Sequence, residues 1–286
     1  MGRVRTKMEN DLVLRGLSAA TQESYLRCAK AFIGYYKRSP DKLSNQHVRE
    51  WLLYLLREKQ RKPSTVNVMI GALRFLFGTT LARPHVMHGI RAVRKEFADP
   101  KVLSGSEVER LLAHAPSLRH RCLFMLMYGE GLRVSEARSL EVGDIDSVRM
   151  VVHVRHTKGR RDRMVPLSAQ SLKTLRAYFR ESRPKGPLLF ESRGKGVPIT
   201  RTAVHIALKR AALAAGIDKP LHPHLLRHTY ATHQLEIGTD LRSVQILLGH
   251  RNLQSTARYT HLSESRRQRL RSPLDLLGTE EGRILG

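Results

Sequence analysis

Cysteine is nearly absent from this 286-residue chain: only Cys28 and Cys122 occur, far apart, in no CxxC pair and beside no paired histidines. A disulfide framework is therefore excluded, and two buried thiols in a reducing compartment are expected. No apolar run approaches the roughly 18 residues of a membrane-spanning helix. The basic stretch 1–7 is followed by no apolar signal core with a small-residue cleavage site, so a cytoplasmic protein with no membrane partner is expected. The chain has no GxxxxGK(S/T) loop for nucleotide phosphates and no carboxylate cluster able to hold two magnesium ions. Internal repeats and low-complexity tracts are missing too. Acid is scarce as well: 25 Asp and Glu face 51 Lys and Arg, a formal net charge of +26.

What is present supports a folded, strongly basic protein. Hydrophobic residues make up 41% of the chain, enough to offset the entropy of ordering, and the length allows two modest cores or one large one. A field of this sign attracts polyanions, nucleic acid ahead of anionic membrane. Up to Asp99 there are 19 basic and 8 acidic residues, and beyond it 32 and 17. Because both halves carry the excess, one basic tail on a neutral body is excluded, and a polyanion touching both halves is favoured.

The first half reads as helices. After Ser18, Tyr25, Ala29, Phe32 and Tyr36 fall on one helical face; after Ser44 come Val48, Trp51, Leu52 and Leu55; Ser64 opens a run with Val66, Met69, Leu73 and Leu76. About 17 residues precede the first strong helical pattern. Arg27, Lys30, Lys37, Lys59, Arg61, Lys62 and Arg74 lie off these stripes, as a solvated surface or as phosphate contacts. Residues 91–100 break the periodicity and end in proline, which marks a linker over 95–102 between units 1–94 and 103–286. Beyond it, Ser104 and Glu107 form a capping-box signature for a helix to about His114, and an apolar stretch over 122–128 ends at Gly129-Glu130-Gly131. A hairpin is predicted from strands at 150–155 and 164–167 around a polar turn at 157–163. Helical patterns then cover about 170–179, 203–215, 225–237 and 240–248. The expected fold class is mainly α with a small β-sheet.

Histidines 222, 224, 228 and 233 are dense enough to suggest a metal site, with His224 and His228 four apart as in HExxH. Leu225-Leu226-Arg227 supplies no general-base glutamate, however, and sets a permanent cation beside the proposed metal. The same helix puts His224 and Arg227 three apart, on one face, where together they suit an anion.

HxxR alone is a weak signal; its companions carry more. GLRVSEA at 131–137 sets Arg133 just after a glycine turn and near Glu136. HPHLLRHTYAT spans 222–232, LLGHRNLQSTARYTH spans 247–261, and Lys158 sits at the tip of the predicted hairpin. In order and spacing this set resembles the tyrosine recombinase family of phage-integrase-like site-specific recombinases, nearest to its small Xer-like or transposon-encoded members. The resemblance implies a two-domain DNA clamp, with a helical core-binding (SAM-like) domain at 1–94 and a catalytic domain at 103–286. With only about 17 residues ahead of the first strong helical pattern, an additional arm-binding domain is not expected. Carried over residue by residue, the family pattern marks Arg133, Lys158, His224, Arg227 and His250 as the activating set and Tyr259 as nucleophile, with Glu136 supporting the first arginine. It implies a 3′-phosphotyrosyl intermediate, no cofactor and no metal. It also implies a homotetramer on two DNA duplexes, with a second recombinase or an accessory factor as a further partner, in integration, excision or resolution. The tail 263–286 is expected to dock on a neighbouring protomer.

Read without the family, Arg133 also fits a structural pair with Glu136, Arg160 or Arg161 fits the role of Lys158, and Tyr230 and Tyr128 rival Tyr259. Three other functions compete: a type IB topoisomerase, a helix-turn-helix regulator built on 240–250 and 253–259, and a phosphate-binding metal hydrolase.

Overall fold

A computed structural model describes residues 2–94, 102–155, 162–192 and 196–249. The chain divides into two compact units, residues 1–98 and 99–286. Of the linker expected over 95–102, all but Val102 lies outside the described residues.

The first unit begins with a helix that the sequence reading placed in a pre-helical stretch: α1 spans Gly2–Leu14. Val4, Met8 and Leu12, spaced by four, form its narrow inward stripe, and only Met8 and Leu12 are fully buried. So thin a stripe gives little periodicity; packing rather than pattern stabilises the helix. Helix α2, Ala19–Tyr36, starts at Ser18, whose hydroxyl accepts from the Thr21 amide at 3.3 Å. Helix α3, Asn45–Arg57, buries Val48, Trp51, Leu52 and Leu55 as the spacing predicts. Helix α4, Pro63–Phe75, starts one turn position before Ser64: Lys62 is its cap and Pro63 occupies its first turn, where a missing N–H costs nothing. Phe32 centres the core, edge-on to Tyr36, Trp51 and Phe77 with ring centroids 5.6, 5.1 and 6.0 Å away. The seven off-stripe cations are all exposed. The segment leaving the unit is held both ways by Asn67, whose amide donates to the Val93 carbonyl (2.9 Å) and accepts from the Val93 N–H (2.7 Å).

The second unit is built around α6, Leu118–Gly129, in which Cys122, Leu123, Phe124, Met125, Leu126 and Met127 are all buried. A helix apolar on every side must be covered on every side. Helices α5 (Gly105–Ala113), α8 (Ala169–Ser182), α9 (Arg201–Ala214) and α10 (Pro223–Glu236) all pack on it. Ser104 and Glu107 close the expected capping box on α5. Between α6 and α8 lie the short α7 (Val134–Arg138) and an antiparallel sheet of β1 (Ile145–Asp146), β2 (Val151–Val154) and β3 (Arg163–Pro166), in that order. The sheet has one strand more than the predicted hairpin, because two residues of β1 are too few to show alternation. Strand β3 also starts earlier than predicted, with Arg163 opposite Val154. Helix α11, Leu241–Leu248, is capped by Asp240 and ends at Gly249 in the left-handed conformation (φ 59°). Both cysteines are free and buried. Among the described residues no helix is long and apolar enough to cross a membrane.

Candidate active site

The site grows from the turn after α6. Gly131 adopts φ 65°, and a Cβ there would lie 2.6 Å from the Tyr230 ring, so both conformation and space call for glycine. This turn delivers Arg133 to the cap position of α7 and Glu136 to its third residue, where the carboxylate accepts from the Arg133 N–H at 2.8 Å. The Arg133 guanidinium donates to Glu136 Oε1 at 2.6 Å, and Glu136 is almost wholly buried. Arg133 therefore makes the structural pair that the bare spacing suggested. Its side chain remains partly exposed, at 17%, and its second Nη donates to the Gly249 carbonyl at 3.5 Å.

Arg227 enters from α10. It is 3% exposed and donates to the Gly131 carbonyl at 2.7 Å and to the Leu248 carbonyl, with Glu136 Oε2 3.7 Å away. One arginine thus ties the turn after α6 to the end of α11. His224 lies one turn before it on α10, at the exposed rim. Partial desolvation, then the positive charges of His222, Arg227, Arg133 and Arg201, hold its pKa below the ordinary histidine range. The structure brings Arg133 and Arg227 together on one carboxylate and puts His224 within their electrostatic reach. Lys158, His250 and Tyr259 lie outside the described residues, as do the tail 263–286 and the second helix of the helix-turn-helix reading.

A third cation in this centre escaped the sequence reading. Arg163, in β3, donates to Glu136 Oε2 at 2.8 Å and Oε1 at 3.1 Å, and to the Leu247 carbonyl at 2.8 Å. The readable sign was its phase: period two puts Arg163 on the same side of the strand as buried Val165. Burial alone would raise the Glu136 carboxyl, but hydrogen bonds and charge from Arg163, then Arg133, bring it down to about 2.

Behind the turn, Glu130 is 0% exposed. Its Oε1 accepts from the Ser168 N–H at 3.2 Å, while Oε2 is buried without a hydrogen-bond partner. Burial pushes its carboxyl up to about 7 against the pull of Ser168 and Ser171. Of the rival tyrosines, Tyr230 is buried beneath Gly131, where desolvation takes its phenol up to about 12. The Tyr128 hydroxyl is engaged with His233 Nδ1 at 3.0 Å. Among the described residues no group of three or more His, Cys, Asp or Glu is placed to hold a metal ion.

Residues 101–266 match the family described as the phage integrase family, and residues 4–85 match the phage integrase N-terminal SAM-like domain. The chain belongs to the phage integrase family. It is a tyrosine recombinase, an enzyme of the class that cleaves and rejoins DNA. Among curated relatives, the putative integrase/recombinase y4qK of Sinorhizobium fredii (strain NBRC 101917 / NGR234) is 40% identical over 275 residues, covering 96% of this chain and 89% of the relative. Tyrosine recombinase XerD of Listeria innocua serovar 6a (strain ATCC BAA-680 / CLIP 11262) is 32% identical, covering 89% of this chain and 92% of the relative. Among solved structures, the XerH site-specific recombinase in a post-cleavage complex with a palindromic difH substrate has the same fold (TM-score 0.76, 22% identity, 89% of this chain and 80% of that one). So does the Tn1549 transposon integrase with circular intermediate DNA (TM-score 0.71, 20% identity, 94% and 99%).

Proposed function

We propose that this chain carries out site-specific recombination through a 3′-phosphotyrosyl intermediate formed by Tyr259, with Arg133, Lys158, His224, Arg227 and His250 as its activating set. The observation that carries the reading is the convergence of Arg133 and Arg227 on Glu136 from two distant segments. Two fixed guanidinium groups suit a phosphodiester whose nonbridging oxygens gain charge as a nucleophile adds. His224, with its lowered pKa, is neutral near pH 7 and takes the tyrosine proton as Tyr259 Oη bonds to phosphorus. The bond from phosphorus to the 5′ oxygen breaks, and Lys158 supplies the proton that makes a 5′ hydroxyl. His250 donates one more hydrogen bond to the phosphate. A second transesterification reverses these steps with the 5′ hydroxyl of a partner strand. Bond energy is conserved throughout, so the reaction calls for no nucleotide as an energy source, and the arginines take the charge-stabilising role that a metal ion would otherwise fill.

Both units are basic and both contact duplex DNA, and exchange between two duplexes requires a homotetramer. The 1–94 unit binds the core site, the 95–102 segment links it to the catalytic unit at 103–286, and the tail 263–286 docks on a neighbouring protomer. That relatives were captured on difH and on circular intermediate DNA supports the DNA contacts.

The test uses a Tyr259→Phe protein to select its binding site from a random duplex library. Wild type is then incubated with a nicked duplex carrying that site. Wild type should form a covalent adduct, and Tyr259→Phe should bind equally and form none. An adduct in the phenylalanine variant refutes the nucleophile. Strand exchange between two marked duplexes separates recombination from topoisomerase-like relaxation, which yields none.

A further inference from the structure

We infer that Arg163 is a positioning residue of the recombination site: it neutralises Glu136 so that Arg133 serves the scissile phosphate instead of being drawn into its own carboxylate. The inference rests on the catalytic reading above and extends it to a residue outside the activating set.

Glu136 carries one negative charge and meets three cations. Arg133 gives its side chain one hydrogen bond from the guanidinium and one from the backbone, and Arg227 stands off at 3.7 Å. The Arg163 guanidinium addresses both carboxylate oxygens as a fork, from Nη2 to Oε2 at 2.8 Å and from Nη1 to Oε1 at 3.1 Å. It is also more buried than Arg133, with 9% of its side chain exposed against 17%. The more enclosed cation is thus the fork-shaped partner of the carboxylate, the geometry in which a guanidinium binds most strongly. The less enclosed one keeps a single side-chain bond to it. If the fork were removed, Glu136 would draw both Arg133 nitrogens onto itself.

Arg163 also holds the far wall. Its Nε donates to the Leu247 carbonyl at 2.8 Å, and a Cβ on Gly249 would fall 3.2 Å from its Cδ. One side chain of β3 therefore fixes the Arg133–Glu136 turn against the end of α11, at the residue preceding His250. In the same way it anchors the first residue of β3 itself. Misplacing a reacting group by about 1 Å costs up to roughly 100-fold in rate.

The experiment is a double-mutant cycle of Arg163→Gln and Glu136→Gln, read as single-turnover adduct formation on saturating selected-site duplex, with duplex affinity and thermal melting measured alongside. Arg163→Gln should slow cleavage by roughly 100-fold with DNA affinity little changed. Arg163→Lys, which keeps charge without the fork, should recover only part of the loss. Adding Glu136→Gln to Arg163→Gln should restore at least about tenfold, because the carboxylate that captures Arg133 is gone. A purely structural Arg163 would lose and regain cleavage in step with the melting temperature, whereas a positioning residue changes the cleavage rate of protein that is fully folded at the assay temperature. Cleavage by Arg163→Gln within twofold of wild type, or a double variant no faster than the single, overturns the proposal. If Arg163→Gln does not fold, the same answer is read in the Glu136→Gln background. There a further loss below about threefold supports the proposal, and a full loss overturns it. Absence of adduct from wild type would instead refute the catalytic reading, so the two failures are distinguishable.

Discussion

Substituting Glu130 with glutamine should change how the stability of the catalytic unit depends on pH. Glu130 is fully buried, accepts one hydrogen bond from the Ser168 N–H and leaves Oε2 without a partner. Its carboxyl is raised from the ordinary glutamate value of 4.5 to about 7, first by burial, with opposing hydrogen bonds from Ser168 and Ser171. Tyr230 of α10 faces it, as do Ser168, the cap of α8, and Ser171 within α8, and the charges of Arg227 and Arg163 act on Tyr230. Between these two pKa values the folded state holds a proton that the unfolded state has released, so stability falls as pH rises through the window. A difference of this size is worth about 3 kcal/mol in all, of which roughly 2–3 kcal/mol is lost between about pH 5 and pH 8. Glutamine keeps the acceptor for Ser168 and cannot ionise. Urea denaturation followed by far-ultraviolet circular dichroism should give similar stabilities for wild type and Glu130→Gln at about pH 5. At about pH 8 the variant should be more stable by roughly 2–3 kcal/mol. Parallel curves across this range would refute the buried, uncompensated carboxyl.

Gly131→Ala should destabilise the catalytic unit by about 3 kcal/mol, from a left-handed backbone and a Cβ pressed into Tyr230, and abolish cleavage; a melting temperature equal to wild type would contradict the packing. Single-turnover cleavage should stay high at mildly acidic pH and fall only below the ordinary histidine range, since His224 is depressed; a limb above that range would exclude His224 as base. Ser104→Ala should cost about 1 kcal/mol through loss of the α5 cap, measured by urea denaturation. Phe32→Ala should cost about 3–5 kcal/mol in the first unit, reported by the fluorescence of the single tryptophan, Trp51, which packs against it.

How far the structure could be read in advance depended on how wide a stripe each element buries. Helix α3 buries four residues at helical spacing, so its face was legible to the residue. Helix α1 buries two and β1 spans two residues, below what periodicity can register. Capping chemistry was visible at Ser18 and Ser104 because polar side chains there have one short-range use. At α4 a proline took the place of such a cap and moved the start to Pro63. Within the site, Arg133 and Arg227 stood out from their neighbouring motifs. Arg163 did not, because its significance lies in a partner 27 positions away, and a basic turn beside it concealed its strand phase.

The enclosure of α6 sets an order of events during synthesis. Residues 122–127 emerge early, yet the helices that cover them extend to Glu236, about a hundred residues later. At ribosomal speeds this greasy rod waits on the order of ten seconds for its cover. Nascent chains halted near the small sheet should therefore recruit holdase chaperones and clump when these are withdrawn, whereas chains released after α10 should not.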